Sequence, residues 1–159
     1  MQDVYTVQVE PPRGTFQGRC DEKGRVKLPA QYQRFLDRLN EKVVFITTLD
    51  RRIARIYPLS IWKKNELFFL GFQKNPRAAQ DVSLVANHYG ADSEVDGQGR
   101  ILIPTLLRRE LGIENQSIWL DHFRGRFNLY SDAVYQERLS QAFEGLPDKI
   151  DLLEQDGLL

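Results

Sequence analysis

The chain has 159 residues with 22 basic and 22 acidic side chains, a formal charge of zero at pH 7, which excludes a histone-like grip on nucleic acid by bulk attraction. Hydrophobic residues make up 42%, no apolar run approaches the ~20 residues a membrane span needs, and MQDVYTVQVEPPRG lacks the basic-then-apolar layout of a signal peptide, so a cytoplasmic protein is expected. One cysteine, Cys20, permits neither an intramolecular disulfide nor a CxxC pair and excludes redox chemistry and structural zinc.

In chain order, residues 1–14 read as an N-terminal extension. DEKGR (Asp21 to Arg25) is a tight turn: Gly24 supplies positive φ cheaply and Asp21 bonds nearby backbone amides. In the strand that follows, Arg25 and Lys27 take one face and Val26 and Leu28 the other, so the arginine stands outward at a turn-to-strand junction. Pro29 suits the first turn of a helix running through Tyr32, Phe35, Leu36 and Leu39, with Asn40 as its C-terminal cap. Strands are expected at Val43 to Leu49 and Ile53 to Tyr57, joined by the turn Asp50-Arg51-Arg52. A helix from Ile61 to Leu70, capped by Ser60, closes a first module of residues 15–75.

Asn75 and Pro76 open a connecting helix whose Ala78, Val82, Val85 and Tyr89 fall on one face and which ends before Gly90. The turn DGQGR (Asp96 to Arg100) follows, with Gly99 in the glycine position. Arg100 and Leu102 share a face against Ile101 and Ile103, and Pro104 opens a helix through Leu106, Leu107 and Leu111 that stops at Gly112. Strands at Ser117 to Leu120 and Arg126 to Tyr130 are joined by Asp121 to Gly125, and a helix from Ala133 to Phe143 follows Ser131-Asp132. Residues 76–143 thus form the connecting helix and a second module. Residues 144–159 are an acidic tail of weak periodicity, with Glu144, Asp148, Asp151, Glu154 and Asp156 against Lys149 alone.

The two modules are copies. Asp21 to Leu36 aligns with Asp96 to Leu111, with Asp, Gly, Arg and Pro in identical register, and Ile56 to Leu67 matches Leu129 to Ser140 once the second copy is two residues shorter between motifs. Modules of ~60–70 residues hold little core of their own, so they are expected to partner. Charge is unevenly distributed along the chain: from Arg13 to Pro29 there are five cations against Asp21 and Glu22, which the acidic tail reverses.

DEKGR with VKLP, DGQGR with ILIP, the YPLSIW stretch and the helix leading through HYGADSEVD into the second turn resemble the corresponding parts of MraZ proteins, over about Thr15 to Phe143. The resemblance implies an α+β, mainly β fold. Two SpoVT-AbrB-type swapped-hairpin half-barrels would form a pseudo-dimeric barrel in one chain, with flanking helices, and assemble into a ring-shaped homo-oligomer. It implies a sequence-specific DNA-binding transcriptional regulator, a repressor of the division and cell-wall gene cluster that binds short direct repeats in its own promoter and associates with the nucleoid. The arginine on which that family relies for DNA contact falls on Arg25 and Arg100. Family members reach the first turn almost at once, whereas about a dozen residues including Pro11 and Pro12 precede Thr15 here.

On the residues themselves, the planar fork of arginine suits bidentate contact to guanine or to phosphate. Lys23 and Lys27 add positive charge to the first turn, while Gln98 stands where Lys23 does in the second. Asp21 and Asp96 read as turn-formers rather than catalytic carboxylates. His88 and His122 lack partners at metal-ligand spacing, Cys20 reads as a buried strand residue, and Ser60 and Ser131 lack a nucleophile-elbow context. Trp62 and Tyr135 occupy equivalent positions and are expected to fill the core. No enzyme, cofactor, metal or small-molecule substrate is expected. The competing reading is an AbrB-like antitoxin or protein-interaction module, its partner engaged by the acidic tail.

Overall fold

The computed structural model describes residues 9–159; the first eight residues of the 1–14 extension lie outside the described part. The first copy contributes β1 (Phe16–Cys20), β2 (Arg25–Lys27), α1 (Ala30–Arg38), β3 (Val43–Thr48), β4 (Ile53–Pro58) and α2 (Leu59–Gly71). After α3 (Pro76–Tyr89), the second contributes β5 (Ala91–Glu94), β6 (Arg100–Leu102), α4 (Thr105–Leu111), β7 (Gln116–Phe123), β8 (Arg126–Ser131) and α5 (Asp132–Phe143), and α6 (Leu146–Gln155) follows.

The strands form one antiparallel sheet in the order β5-β3-β4-β8-β7-β1-β2-β6. That order is the duplication written in three dimensions. β1 leaves its own copy to pair with β7, with Phe16 opposite Leu120, and β5 reciprocally pairs with β3, with Val43 opposite Glu94. The equivalent strands β2 and β6 pair with each other, as do β4 and β8. The backbone N–H of Leu102 donates to Ser93 Oγ at 2.9 Å, drawing the β6 and β5 ends together so that the sheet nearly closes into a barrel. The fold is α+β with a pseudo-dimeric barrel, and neither half could bury its apolar face without the other.

The alternation in β2 and β6 decides what goes inside. Val26, Leu28, Ile101 and Ile103 are buried, while Lys27 and Leu102 are exposed. Tyr32, Phe35 and Leu36 of α1 and Leu107 of α4 complete the main core, with Tyr32 stacked on Phe127 at 4.2 Å between ring centroids. Cys20 is buried there, and burial pushes its thiol up to about 11. A second core of Phe45, Tyr57, Trp62 and Ala86 attaches α2 and α3 to the barrel, and Thr47 Oγ1 donates to the Ala86 carbonyl at 2.7 Å.

Several local expectations need correction. Pro29 and Pro104 stand one residue before their helices, at ψ of 149° and 142°. This extended backbone ends the strand, and their carbonyls accept the first helical N–H groups, with Gln33 N to Pro29 O at 3.1 Å and Arg108 N to Pro104 O at 2.9 Å. Ser60 is not a cap, because α2 already begins after Pro58; Ser131 is one, its side chain accepting from Val134 N at 3.2 Å. β7 runs three residues further than expected because Phe123 still pairs with Arg126. The turn between them is Arg124-Gly125, both at positive φ, the geometry that suits a two-residue hairpin.

Trp62 is buried and stacks on Phe45, whereas Tyr135 is only half-buried. It stacks on Trp119 at 4.4 Å on the outer side of the sheet, and α6, which follows α5 as α3 follows α2, buries no residue. The acidic tail is helical in α6: Gly145 at φ 62° breaks from α5, Pro147 fits the first turn, and Asp148 faces the positive end of the helix dipole. The tail is therefore more regular than its expected weak periodicity, and α6 has no buried residue, so Ile150, Leu152 and Leu153 stay exposed.

Candidate nucleic-acid interface

The two D-x-x-G-R turns are built alike. Asp21 Oδ1 accepts the backbone N–H groups of Lys23 and Arg25 at 2.9 and 2.8 Å, and its Oδ2 accepts Arg25 Nε at 2.9 Å. Asp96 does the same for Gln98 N, Arg100 N and Arg100 Nε at 2.8, 2.9 and 2.9 Å. These bonds hold both carboxyls below the ordinary carboxylate range; the backbone N–H of Arg25 acts most strongly on Asp21, and that of Arg100 on Asp96. Each arginine is therefore anchored through Nε, with about a third of its side chain exposed.

Gly24 and Gly99 sit at φ 88° and 75°, a backbone region open to glycine and costly for other residues. Both are covered by a side chain from the opposite copy: Arg108 of α4 lies over Gly24, and Gln33 of α1 lies over Gly99. Arg108 Nη1 donates to the Ile103 carbonyl at 3.0 Å and Gln33 Nε2 to the Leu28 carbonyl at 2.7 Å. The pair stands twelve residues after each motif aspartate, an offset readable in the sequence once the copies are aligned. Backbone bonds complete the junction, with Leu28 N to Gly99 O at 2.9 Å and Ile103 N to Gly24 O at 2.8 Å.

Pairing of β2 with β6 puts Arg25 opposite Leu102 and Lys27 opposite Arg100. Three cations and one exposed leucine thus share a single outward face, with Lys23 on the adjoining exposed turn. Like charges directly opposite one another destabilise a sheet. Asp96 offsets part of this at Arg100, and Lys27 has no anion partner among the described residues. An anion seated over this face would relieve the repulsion. Leu102, about half exposed opposite Arg25, is legible in the sequence only as sharing the face of Arg100, and its place among the cations follows from the pairing. Away from this face, His122 packs edge-on against Phe35 at 5.2 Å and burial lowers its pKa. Among the described residues no helix is long and apolar enough to cross a membrane.

The swapped strands and paired arginine turns define a tandem AbrB-type barrel whose two halves reside in one polypeptide. The chain belongs to the MraZ family. The family model described as "MraZ protein, putative antitoxin-like" matches residues 90–149, which hold the second copy and the start of α6. A relative from Acidobacterium capsulatum is 42% identical over 97 residues, spanning 60% of this chain and 66% of the relative. One from Koribacter versatilis is 34% identical over 105 residues, spanning 65% of this chain and 71% of the relative. One from Anaeromyxobacter dehalogenans is 32% identical over 130 residues, 80% of this chain and 88% of the relative. All three carry the name Transcriptional regulator MraZ.

Proposed function

We propose that this chain is a sequence-specific DNA-binding transcriptional regulator that contacts duplex DNA through Arg25 and Arg100, with Lys23 and Lys27 on phosphates. The observation that carries this reading is the β2–β6 face, where two arginines held by equivalent turns stand beside a lysine without an acidic partner. Asp21, Gly24, Asp96 and Gly99 serve it as the turn framework. The regulator role is supported by the relatives' name. The finer reading is repression of the division and cell-wall gene cluster, through short direct repeats in the chain's own promoter, by a ring-shaped homo-oligomer associated with the nucleoid. The modules are proposed to span residues 15–75 and 76–143, flanked by the extension and the acidic tail. A reading head repeated around a ring meets successive sites with one polarity, which suits direct repeats. Catalysis has no part in this reading.

The test is a footprint on the DNA upstream of the chain's own gene together with sedimentation of the free protein. A protected set of direct repeats and one discrete large species are expected. No protection, or a strict monomer at micromolar concentration, would count against it. The words "antitoxin-like" in the family description and the exposed α6 favour one second reading, a protein-interaction role for residues 144–159. Affinity capture with and without those residues separates the two.

A further inference from the structure

Residues 9–13, ahead of the duplicated unit, do more than trail from the barrel. Val9 packs against the main core, and residues 10–13 run beside α1. That segment on one side and Gln31, Arg34, Phe35 and Arg38 on the other wall an open cleft of about 300 Å³. Its charge is one-sided, with the guanidiniums of Arg13, Arg34 and Arg38 against the carboxylate of Glu10, which is already engaged by Arg13 at 2.6 Å. Arg34 and Arg38 lie four residues apart, hence on one helix face where like charges repel. Neither has a hydrogen-bond or ion-pair partner among the described residues. In the second copy the counterpart of Arg34 is Arg109, which faces Glu114 at 3.6 Å. The duplicated architecture therefore does not itself require an unpartnered arginine at this position.

Guanidiniums bind phosphoryl oxygens in bidentate fashion, and an anion bridging Arg13, Arg34 and Arg38 would remove their mutual repulsion. The Gln31 amide adds a neutral donor, and Phe35 forms an apolar floor. We propose that this cleft is a phosphate-binding site, formed by the N-terminal extension on α1 and separate from the β2–β6 face. Its phosphate comes from one of two sources. A DNA backbone is one, since α1 begins right after the strand bearing Lys27 and a helix rises only ~1.5 Å per residue; a free phosphorylated small molecule is the other. Only the DNA source rests on the function proposed above.

The experiment uses the full chain with pyrophosphate as probe, at ionic strength held constant with chloride. Wild type is compared with the double variant Arg34→Gln, Arg38→Gln and, on the other wall, with Arg13→Gln, each checked for unchanged oligomer size. The Tm of wild type should rise with pyrophosphate and saturate, as mass action requires of a ligand held by the folded state. The rise should vanish in the double variant and shrink in Arg13→Gln. In a second arm, affinity for a repeat-bearing duplex is measured across salt concentrations. A salt slope shallower by about 0.9 for each phosphate no longer neutralised assigns the site to the DNA backbone, whereas an unchanged slope together with a wild-type pyrophosphate response that the double variant loses assigns it to a free ligand. If neither arm separates the variants from wild type, the proposal is overturned. Loss of duplex binding by Arg25→Ala, Arg100→Ala with the pyrophosphate response intact would show the two sites to be independent. If wild type binds no duplex, the function proposed above fails, and the pyrophosphate arm still judges the cleft.

Discussion

Gly24 and Arg108 belong to different copies of the repeat, yet the guanidinium of Arg108 occupies the space where a side chain on Gly24 would begin. A Cβ there would come within 2.7 Å of Arg108 Cδ, and the same holds for Gly99, whose Cβ would stand 2.5 Å from Gln33 Oε1. Each arginine turn is therefore seated by the helix of the other half, and the framework of one turn depends on correct docking of both.

Gly24→Ala should destabilise the fold by about 1–3 kcal/mol, combining the cost of a non-glycine residue at φ 88° with displacement of Arg108. In an Arg108→Ala background the displacement disappears and the backbone cost remains. Chemical denaturation of the four members of this cycle should give a smaller penalty for Gly24→Ala when Arg108 is absent. Equal penalties in both backgrounds would mean the guanidinium does not seat the turn.

Asp21 and Asp96 should respond to acid in a defined direction. Both carboxyls have folded pKa values below the ordinary 3.8, first through backbone N–H donation from Arg25 and Arg100 respectively. A depressed folded pKa contributes stability that is present above the unfolded value and is lost as pH falls through the folded one. Carbon-detected NMR titration should find both carboxyls protonating below 3.8, with the Arg25 and Arg100 Nε–H resonances shifting in the same step. Carboxyl midpoints at or above 3.8 would contradict the geometry of the turns.

His122 should make the barrel acid-sensitive nearer neutrality. Burial lowers its pKa from 6.5, neighbouring Asp121 opposes that shift, and Arg126 adds to it. Here the unfolded chain binds the proton more readily than the folded one, so stability falls as pH drops below 6.5 and levels off below the folded pKa. His122→Phe, which keeps a ring against Phe35 and Phe127, should flatten the Tm profile on the acid side of pH 6.5. A profile of unchanged slope would place the sensitivity elsewhere.

How much of the fold and the site is legible in the sequence follows from the range of each interaction. The faces of β2 and β6 are legible because a period of two is local, and Val26 and Ile101 do lie inward. Asn40 at φ 57° and Gly112 at φ 65° cap their helices as their residue types predict. Tyr135 departs from expectation because burial of that position depends on a following helix packing over it: Ala86 of α3 joins the core around Trp62, whereas α6, which follows α5, buries no residue. The juxtaposition of Lys27 with Arg100 is not legible in either module alone, since it arises from pairing across residues far apart in sequence. The cleft beside α1 is hidden for the same reason: Pro11, Pro12 and Arg13 carry no repeat signal, and only their packing on α1 gives Arg34 and Arg38 a facing wall.

The two reading heads should be unequal. Arg25 stands with Lys23 and Lys27 in its own copy, whereas the equivalents of those lysines in the second copy are Gln98 and Leu102. Each arginine that makes a bidentate base contact should cost about 1–3 kcal/mol when replaced by alanine, and each cation withdrawn from a phosphate should flatten the salt slope by about 0.9. Arg25→Ala should therefore weaken binding more than Arg100→Ala, and Lys27→Ala should lower affinity uniformly across sequences. The measurement is a titration of each variant on one-repeat and two-repeat duplexes at several salt concentrations, with oligomer size verified throughout. Wild type should favour the two-repeat duplex strongly, because a second engaged subunit adds its interactions without a second cost of association. If the Arg25→Ala, Arg100→Ala double variant keeps its oligomer and binds both duplexes like wild type, the DNA contacts do not lie on the β2–β6 face.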